Sequence, residues 1–253
     1  MSKPILIFLS FGILACSDRT NKPANEKPLT EAQQKETINK LKLDFNQPVL
    51  IDSSAYVMYP LTLERNDENA RRSFESKSYV EPTTYWNILF YNTKTEEYHL
   101  LDDNLKMLIY SYSPGNIERG SSSWTSSDFY IGKNGYSQVD NLLYFSITTT
   151  DFNKDQKLNS EDPNYLFISD KTGKHFKQIS PNNLYVKSWR TIKATNKILM
   201  MVTKDSNGNK KFDDEDESFP LIYDLTKNTT STKIFPDDYK LKLKKKLYEQ
   251  WAN

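Results

Sequence analysis

Two stretches of the chain set oxygen-bearing side chains at matching intervals: Asp151, Asn153, Asp155, Asn159 and Asp162, then Asp205, Asn207, Asn209, Asp213 and Asp216. In a twelve-residue loop these are positions 1, 3, 5, 9 and 12, the places from which oxygens turn toward one hard cation. The backbone carbonyl at position 7, of Lys157 and Lys211, completes the set. The chemistry this pattern supports is coordination of calcium, with ninth-position ligands that reach the ion directly or through water. The plainer reading of the same residues is a pair of solvated acidic hairpin loops whose Asp and Asn side chains cap their own turns. Similar apolar segments flank both loops, which places them in an internal repeat.

Two details tune the expected affinity. Position 6, where such a loop turns sharply and glycine is usual, holds Gln156 and Lys210; a left-handed backbone there costs about 1 kcal/mol without forbidding the turn. Position 12 is Asp, one methylene shorter than Glu, so the next segment must approach the ion closely. Binding is therefore expected to be weak, near the roughly 10⁻⁴ to 10⁻³ M of extracellular modules. Such ions brace long loops by neutralising clustered carboxylates and couple metal to folding, a structural rather than a sensing role. Asp214, Glu215 and Glu217 beside the second loop add attraction from outside the ligand set.

The elements that must hold these loops are strands. Between residues 43 and 235 short runs rich in Tyr, Phe, Thr, Ile and Val alternate with Asn, Asp, Gly, Ser and Pro, an all-β signature. Three segments resemble one another, Trp86–Leu101, Tyr165–Ser180 and Pro220–Phe235, each a strand, a polar turn and a second strand. Ahead of them lie Val49–Leu63, Asn141–Thr150 and Lys197–Lys204, so each unit reads as strand, long loop, strand, tight turn, strand. Leu184–Trp189 makes the last unit four-stranded. Thr30 with Gln33 predicts a capping box opening a helix through Leu43, its inner side carrying Ile38 and Leu41. Pro236, Asp237 and Asp238 precede Leu243, Leu247 and Trp251 at helical spacing, predicting a second terminal helix whose five lysines read as a solvated face.

The flanks decide what the loops resemble. Their spacing is similar to that of dockerin and EF-hand loops, but a helix must come after those, whereas Pro163 stands directly after Asp162 and Tyr165, Leu166 and Phe167 read as a strand. The second loop leads in the same way into Leu221, Ile222 and Tyr223. The helix a dockerin uses to grip cohesin is missing from this pattern. The run LFISDKTGKHFKQIS resembles the short repeat of TolB-type propellers, and units of roughly 40 to 55 residues have the size of a propeller blade. The expected fold is therefore all-β, built of repeated antiparallel four-stranded units, propeller-like or alternatively a β-sandwich, with short terminal helices. A fourth unit is expected in Lys106–Tyr136, from strands at Met107–Tyr112 and Phe129–Ile131 around a loop at Ser113–Ser127.

The start of the chain carries Lys3, an apolar run from Ile5 to Leu14, and the only cysteine, Cys16. An apolar run that short falls below the roughly 20 residues a spanning helix needs. Ile13-Leu14-Ala15-Cys16 resembles the lipobox of bacterial lipoproteins, which implies lipidation at Cys16; Ser17 resembles the outer-membrane sorting pattern. The expected organisation is a signal peptide over 1–15, a tether over 16–29 poor in apolar residues, and one β-repeat domain over 30–253. Without residues 1–15 the basic side chains equal the 33 acidic ones, which gives no electrostatic pull toward nucleic acid.

Catalytic signals are sparse. The chain has two histidines, His99 and His175, and seven glycines, and it lacks a G-x-S-x-G elbow, an H-E-x-x-H zinc motif and a phosphate-binding glycine loop. The expectation is a non-enzymatic, lipid-anchored envelope protein that binds a protein or glycan partner, with Trp86, Trp124 and Tyr136 as candidate contact aromatics. The alternative is a glycoside-active hydrolase whose carboxylate pair is dispersed through the sequence.

Overall fold

The computed structural model describes residues 30–63, 84–113, 138–227 and 229–251. The lipobox-like segment with Cys16, the expected tether, Trp124, Tyr136 and the expected strand at Phe129–Ile131 lie outside them. The chain divides into two compact units at Lys40/Leu41. The first contains α1 (Glu31–Lys40), opened by the expected box: Thr30 N–H donates to Gln33 Oε1 at 2.9 Å, and Gln33 N–H to Thr30 Oγ1 at 3.4 Å. The helix ends at Lys40, short of the expected Leu43, because Leu43 is taken by a strand. Ile38 is 64 % exposed, so it is not on a buried face.

The second unit is mostly β, with thirteen strands in three antiparallel sheets among the described residues. The first sheet runs in the order β1 (Leu43–Phe45), β3 (Tyr56–Leu63), β4 (Asn87–Asn92), β5 (Tyr98–Leu100), with β2 (Val49–Leu50) also paired to β3. The second is β6 (Leu108–Tyr112), β7 (Leu142–Thr148), β8 (Tyr165–Asp170), β9 (Lys177–Gln178), and the third β10 (Leu184–Ile192), β11 (Lys197–Lys204), β12 (Glu217–Asp224), β13 (Thr232–Lys233). The chain closes with α2 (Asp237–Trp251).

The second and third sheets are four-strand meanders, and they share small irregularities. A bulge interrupts the first strand of each, between Ile109 and Ser111 in β6 and between Val186 and Ser188 in β10. In all three sheets the hairpin joining the last two strands is locked by an Asn or Asp that accepts backbone N–H groups two or more residues on, the mechanism that makes Asx residues turn formers. Asn92 Oδ1 takes Lys94 N–H at 2.9 Å, Asp170 Oδ1 takes Thr172 N–H at 2.8 Å, and Asp224 Oδ1 takes Thr226 N–H at 3.0 Å. These are the three segments whose sequences resemble one another.

Packing explains why the middle sheet reads as nearly continuous apolar sequence. Leu143, Phe145, Ile147, Tyr165 and Phe167 pack with Met58, Ile88 and Phe90 of the first sheet. Tyr144, Leu166 and Ile168, on the alternate positions of the same strands, pack with Val186, Ile198, Met200 and Val202 of the third. Side chains alternate faces along a strand, so a sheet buried on both sides loses its polar phase. The second sheet therefore lies between the other two. At the turn of β8 and β9, Gly173 (φ +80°) touches the Phe90 ring of the first sheet so closely that an added Cβ would stand 2.6 Å from it.

One further expectation needs correction. Leu108–Tyr112 does not start a separate fourth unit; β6 pairs antiparallel with β7 and forms the edge of the second sheet. The apolar positions of α2 are open to solvent, with Leu243 at 50 %, Leu247 at 60 % and Trp251 at 79 % exposure among the described residues. No helix among the described residues is long and apolar enough to cross a membrane.

Candidate metal centre

Both acidic loops occupy one topological place. The first, Asp151–Asp162, joins β7 to β8, and the second, Asp205–Asp216, joins β11 to β12, in each case the second and third strands of a sheet. The second loop runs directly into β12, only Pro163 and Asn164 stand between the first and β8, and a strand rather than a helix follows each.

Inside the loops the hydrogen bonds correspond nearly position for position. In the first, Asp151 takes the N–H of Asp155 on Oδ1 at 3.1 Å and that of Gln156 on Oδ2 at 2.9 Å. Asn153 Oδ1 takes the same Asp155 N–H, and Asp155 Oδ1 takes Lys157 N–H at 2.8 Å. In the second, Asp205 takes Gly208 N–H at 2.7 Å and Lys210 N–H at 3.0 Å, Asn207 takes Asn209 N–H, and Asn209 takes Lys211 N–H. The backbone turns left-handed at positions 4 and 6 of both loops: Lys154 (φ 64°) and Gln156 (φ 68°), then Gly208 (φ 77°) and Lys210 (φ 62°). Position 6 thus holds the conformation that usually selects glycine, in a residue that is not glycine.

Position 12 closes each ring. Asp162 is 1 % exposed and Asp216 9 %. Asp162 accepts Phe152 N–H at 2.8 Å and Asn159 N–H at 3.1 Å, one on each oxygen; Asp216 accepts Ser206 N–H at 2.8 Å and Asp213 N–H at 3.3 Å in the same way. A buried carboxylate is tolerated when donors compensate its lost hydration, and here loop backbone supplies them.

Whether these groups suit a divalent cation is a question of donors and spacing. All are hard oxygens, the preference of calcium. A carboxylate or amide oxygen has two lone pairs, so an N–H bond leaves capacity for an ion. The position-7 carbonyls of Lys157 and Lys211 accept no bond among the described residues. Spacing is less favourable: no group of three or more His, Cys, Asp and Glu side chains among the described residues stands at metal-ligand separation. The carboxylates rest on their neighbours' N–H groups, and an ion would have to draw them inward.

The two loops touch. The rings of Phe152 and Phe212 lie 5.1 Å apart, Tyr185 of β10 stacks on Phe212 at 5.7 Å, and Lys210 Nζ donates to the carbonyl of Asn153 at 3.4 Å. Burial raises the Tyr185 phenol above its ordinary value, keeping it neutral against these rings. A cleft of about 430 Å³ opens between the loops, and the first-position carboxylates Asp151 and Asp205 both line it, with Lys154, Lys204 and Lys210 around them. The spacing of oxygen side chains gave no hint of this contact. The sequence marks only that each loop carries a phenylalanine, Phe152 at position 2 and Phe212 at position 8, with Leu158 the other large apolar side chain of the pair, and not that the two rings meet.

The remaining candidates fall elsewhere. His99, on β5, stacks on Phe90 at 5.5 Å, and its Nε2 is buried without a partner among the described residues. His175 is an exposed turn residue 3.8 Å from Asp170. Trp86, half-buried ahead of β4, also buries its Nε1 without a partner among the described residues. None of the three lies with the loops.

Compared with protein-family models, with curated proteins and with solved structures, the chain returned no match to any. The functional reading rests on the loops themselves.

Proposed function

We propose that this chain is a non-catalytic, lipid-anchored protein of a bacterial envelope. Its two acidic loops bind calcium and so brace a β-repeat scaffold, which presents a surface to a protein or glycan partner. The observation that carries the calcium reading is the recurrence, in two adjacent sheets and at one topological position, of the same oxygen spacing with the same left-handed turns and the same buried twelfth-position carboxylate. Mere turn capping explains single Asx bonds, but it does not require three carboxylates and two further oxygen side chains at repeated intervals. Because those carboxylates must converge against their mutual repulsion, the affinity is modest, near 10⁻⁴ to 10⁻³ M by order of magnitude. The anchor is Cys16, on the strength of the lipobox-like sequence, with the outer membrane as destination and lipid as the membrane contact.

We further propose that the three sheets are successive units of a propeller-like array. Support comes from the middle sheet, which packs one face on each neighbour, and from the meander order and bulge shared by the second and third sheets.

The test is calorimetric titration of the full chain with calcium, alongside thermal unfolding with calcium or chelator. The expected result is saturable uptake and a raised melting temperature, both lost in the Asp151→Ala, Asp205→Ala double variant. Absence of heat and of stabilisation at several millimolar calcium, a few times the upper affinity expected, would sink the metal reading.

A further inference from the structure

We infer that α2 is a membrane-contact helix, which lays its apolar side on an anionic bilayer surface. This rests on the envelope reading above for the presence of a bilayer, and adds to it a contact made by the folded chain itself. Successive helical residues turn by about 100°, so Leu243, Leu247 and Trp251 form one row, and Leu241 and Tyr248 widen it on one side. Each of the five is half or more exposed, and exposure rises along the row from Leu243 through Leu247 to Trp251. The reason is where the helix is held. Its first turn is fastened beside the third sheet: Tyr239 packs on Phe235 at 5.7 Å, Asp237 pairs with Lys233 at 2.8 Å, and Lys240 pairs with Glu217. From Lys240 to Trp251 the helix runs on for about 16 Å at roughly 1.5 Å per residue, and its apolar row opens to solvent as it goes.

The charges of α2 are sorted around that row. Lys242 with Asp238, at 3.4 Å, and Lys245 with Glu249, at 3.8 Å, form ion pairs on the side opposite to it. Lys244 and Lys246 have no ion pair among the described residues and stand on either side of the row. A peripheral helix buries its apolar side at the boundary of headgroups and acyl chains, with Trp and Tyr at headgroup level and lysine stems running along the apolar surface to the phosphates. Each lysine so placed adds attraction to an anionic leaflet. With fifteen residues the helix is too short to cross, so it lies in the plane of the surface. A second copy of the chain is the poorer occupant. An apolar seam between helices repeats at intervals of three and four, and Lys240 and Gln250 stand where that seam would continue from Leu243 and Leu247. The five lysines within residues 240–246 would also repel their counterparts on a second copy.

The experiment uses the full chain without acylation, so its failure leaves the anchor at Cys16 untouched. Trp251 is read as the difference in fluorescence emission between each form and its own Trp251→Phe blank. The titrants are vesicles of phosphatidylcholine alone and of equal parts phosphatidylcholine and phosphatidylglycerol. The expected result is a shift of Trp251 emission to shorter wavelength on the anionic vesicles and a smaller one on the neutral vesicles. In the Lys244→Gln, Lys246→Gln double variant half of that shift should need about ten-fold more anionic lipid. Leu247→Glu should abolish it. Every side chain changed is exposed, so the variants keep the fold. Unchanged Trp251 emission on anionic vesicles would overturn the proposal, and so would a double variant that titrates like the native chain. Sedimentation of the chain without vesicles gives the remaining outcome: a dimer that Leu247→Glu dissociates would assign this face to a second copy and overturn the membrane contact.

Discussion

The two loops have nearly the same bonding and differ in how they hold their shape. The first carries two non-glycine residues in left-handed conformation, Lys154 and Gln156, whereas the second carries one, Lys210, with Gly208 at position 4. The first seals its closing carboxylate more completely, at 1 % exposure for Asp162 against 9 % for Asp216. Each left-handed non-glycine residue costs about 1 kcal/mol. The loop with the greater strain is thus also the one with the more buried clamp, and Asp162 offsets what Lys154 costs.

Removing the clamps should have the largest effect. Asp162→Ala leaves the N–H groups of Phe152 and Asn159, both in part-buried surroundings, without their acceptor, and a stranded buried group costs roughly 1–3 kcal/mol. In chelator the expected loss is about 3 kcal/mol, read as a lower urea midpoint. Asp216→Ala should lose about 2 kcal/mol, because its site is more open and its bond from Asp213 is already long at 3.3 Å. Equal losses, or a larger one at Asp216, would break the asymmetry.

Exchanging the fourth-position residues gives a smaller effect with opposite signs. Lys154→Gly relieves about 1 kcal/mol of backbone strain, and the added freedom of the unfolded chain returns part of it, leaving a net gain of about 0.5 kcal/mol. Gly208→Ala should lose a similar amount, since a Cβ there meets nothing within 4 Å and only the backbone resists. Urea unfolding of both variants in chelator reads the pair; a loss in Lys154→Gly would mean that the lysine side chain, not its conformation, matters.

How much of this was legible in the sequence depends on the range of each interaction. The hairpins β4–β5, β8–β9 and β12–β13 were readable because Asn92, Asp170 and Asp224 lock turns within a few residues, and the cap of α1 for the same reason. The hydrogen-bonded turns of the two acidic loops were readable because the spacing of their Asp and Asn residues is local. The partner of Leu108–Tyr112 was not, since the segment from 113 to 141 separates β6 from β7 and pairing across it leaves no short-range mark. The end of α1 was overrun because Leu41 and Leu43 continue an apolar spacing while Leu43 in fact pairs with Leu63 in a sheet. Helical spacing in α2 indicated a helix but not a covered face. The meeting of Phe152 and Phe212 depends on how two sheets stack, which no local pattern encodes.

The smallest expected effect separates the loops by the residues on their C-terminal side. Beyond the first loop stand Pro163 and Asn164, which carry no charge. Beyond the second stands Glu217, whose carboxylate pairs with Lys240 of α2 and whose N–H donates to Ser206 Oγ inside the loop at 2.7 Å. The hydrogen bond from Lys240, aided by the charges of Lys240 and Lys233, holds the Glu217 carboxyl below the usual carboxylate range. A lowered folded-state value means that the stabilisation is complete above the ordinary glutamate value of about 4.3 and disappears as pH falls through the lowered one. Both partners are more than a third exposed, so solvent screening limits the contribution to roughly a few tenths of a kcal/mol. Melting temperatures of the native chain and Glu217→Gln should therefore differ slightly near neutral pH and converge in acid, once the carboxyl is protonated in both states. A difference that persists or widens in acid would mean that the Glu217 side chain acts through contacts other than its charge, leaving α2 without an electrostatic tie to the second loop.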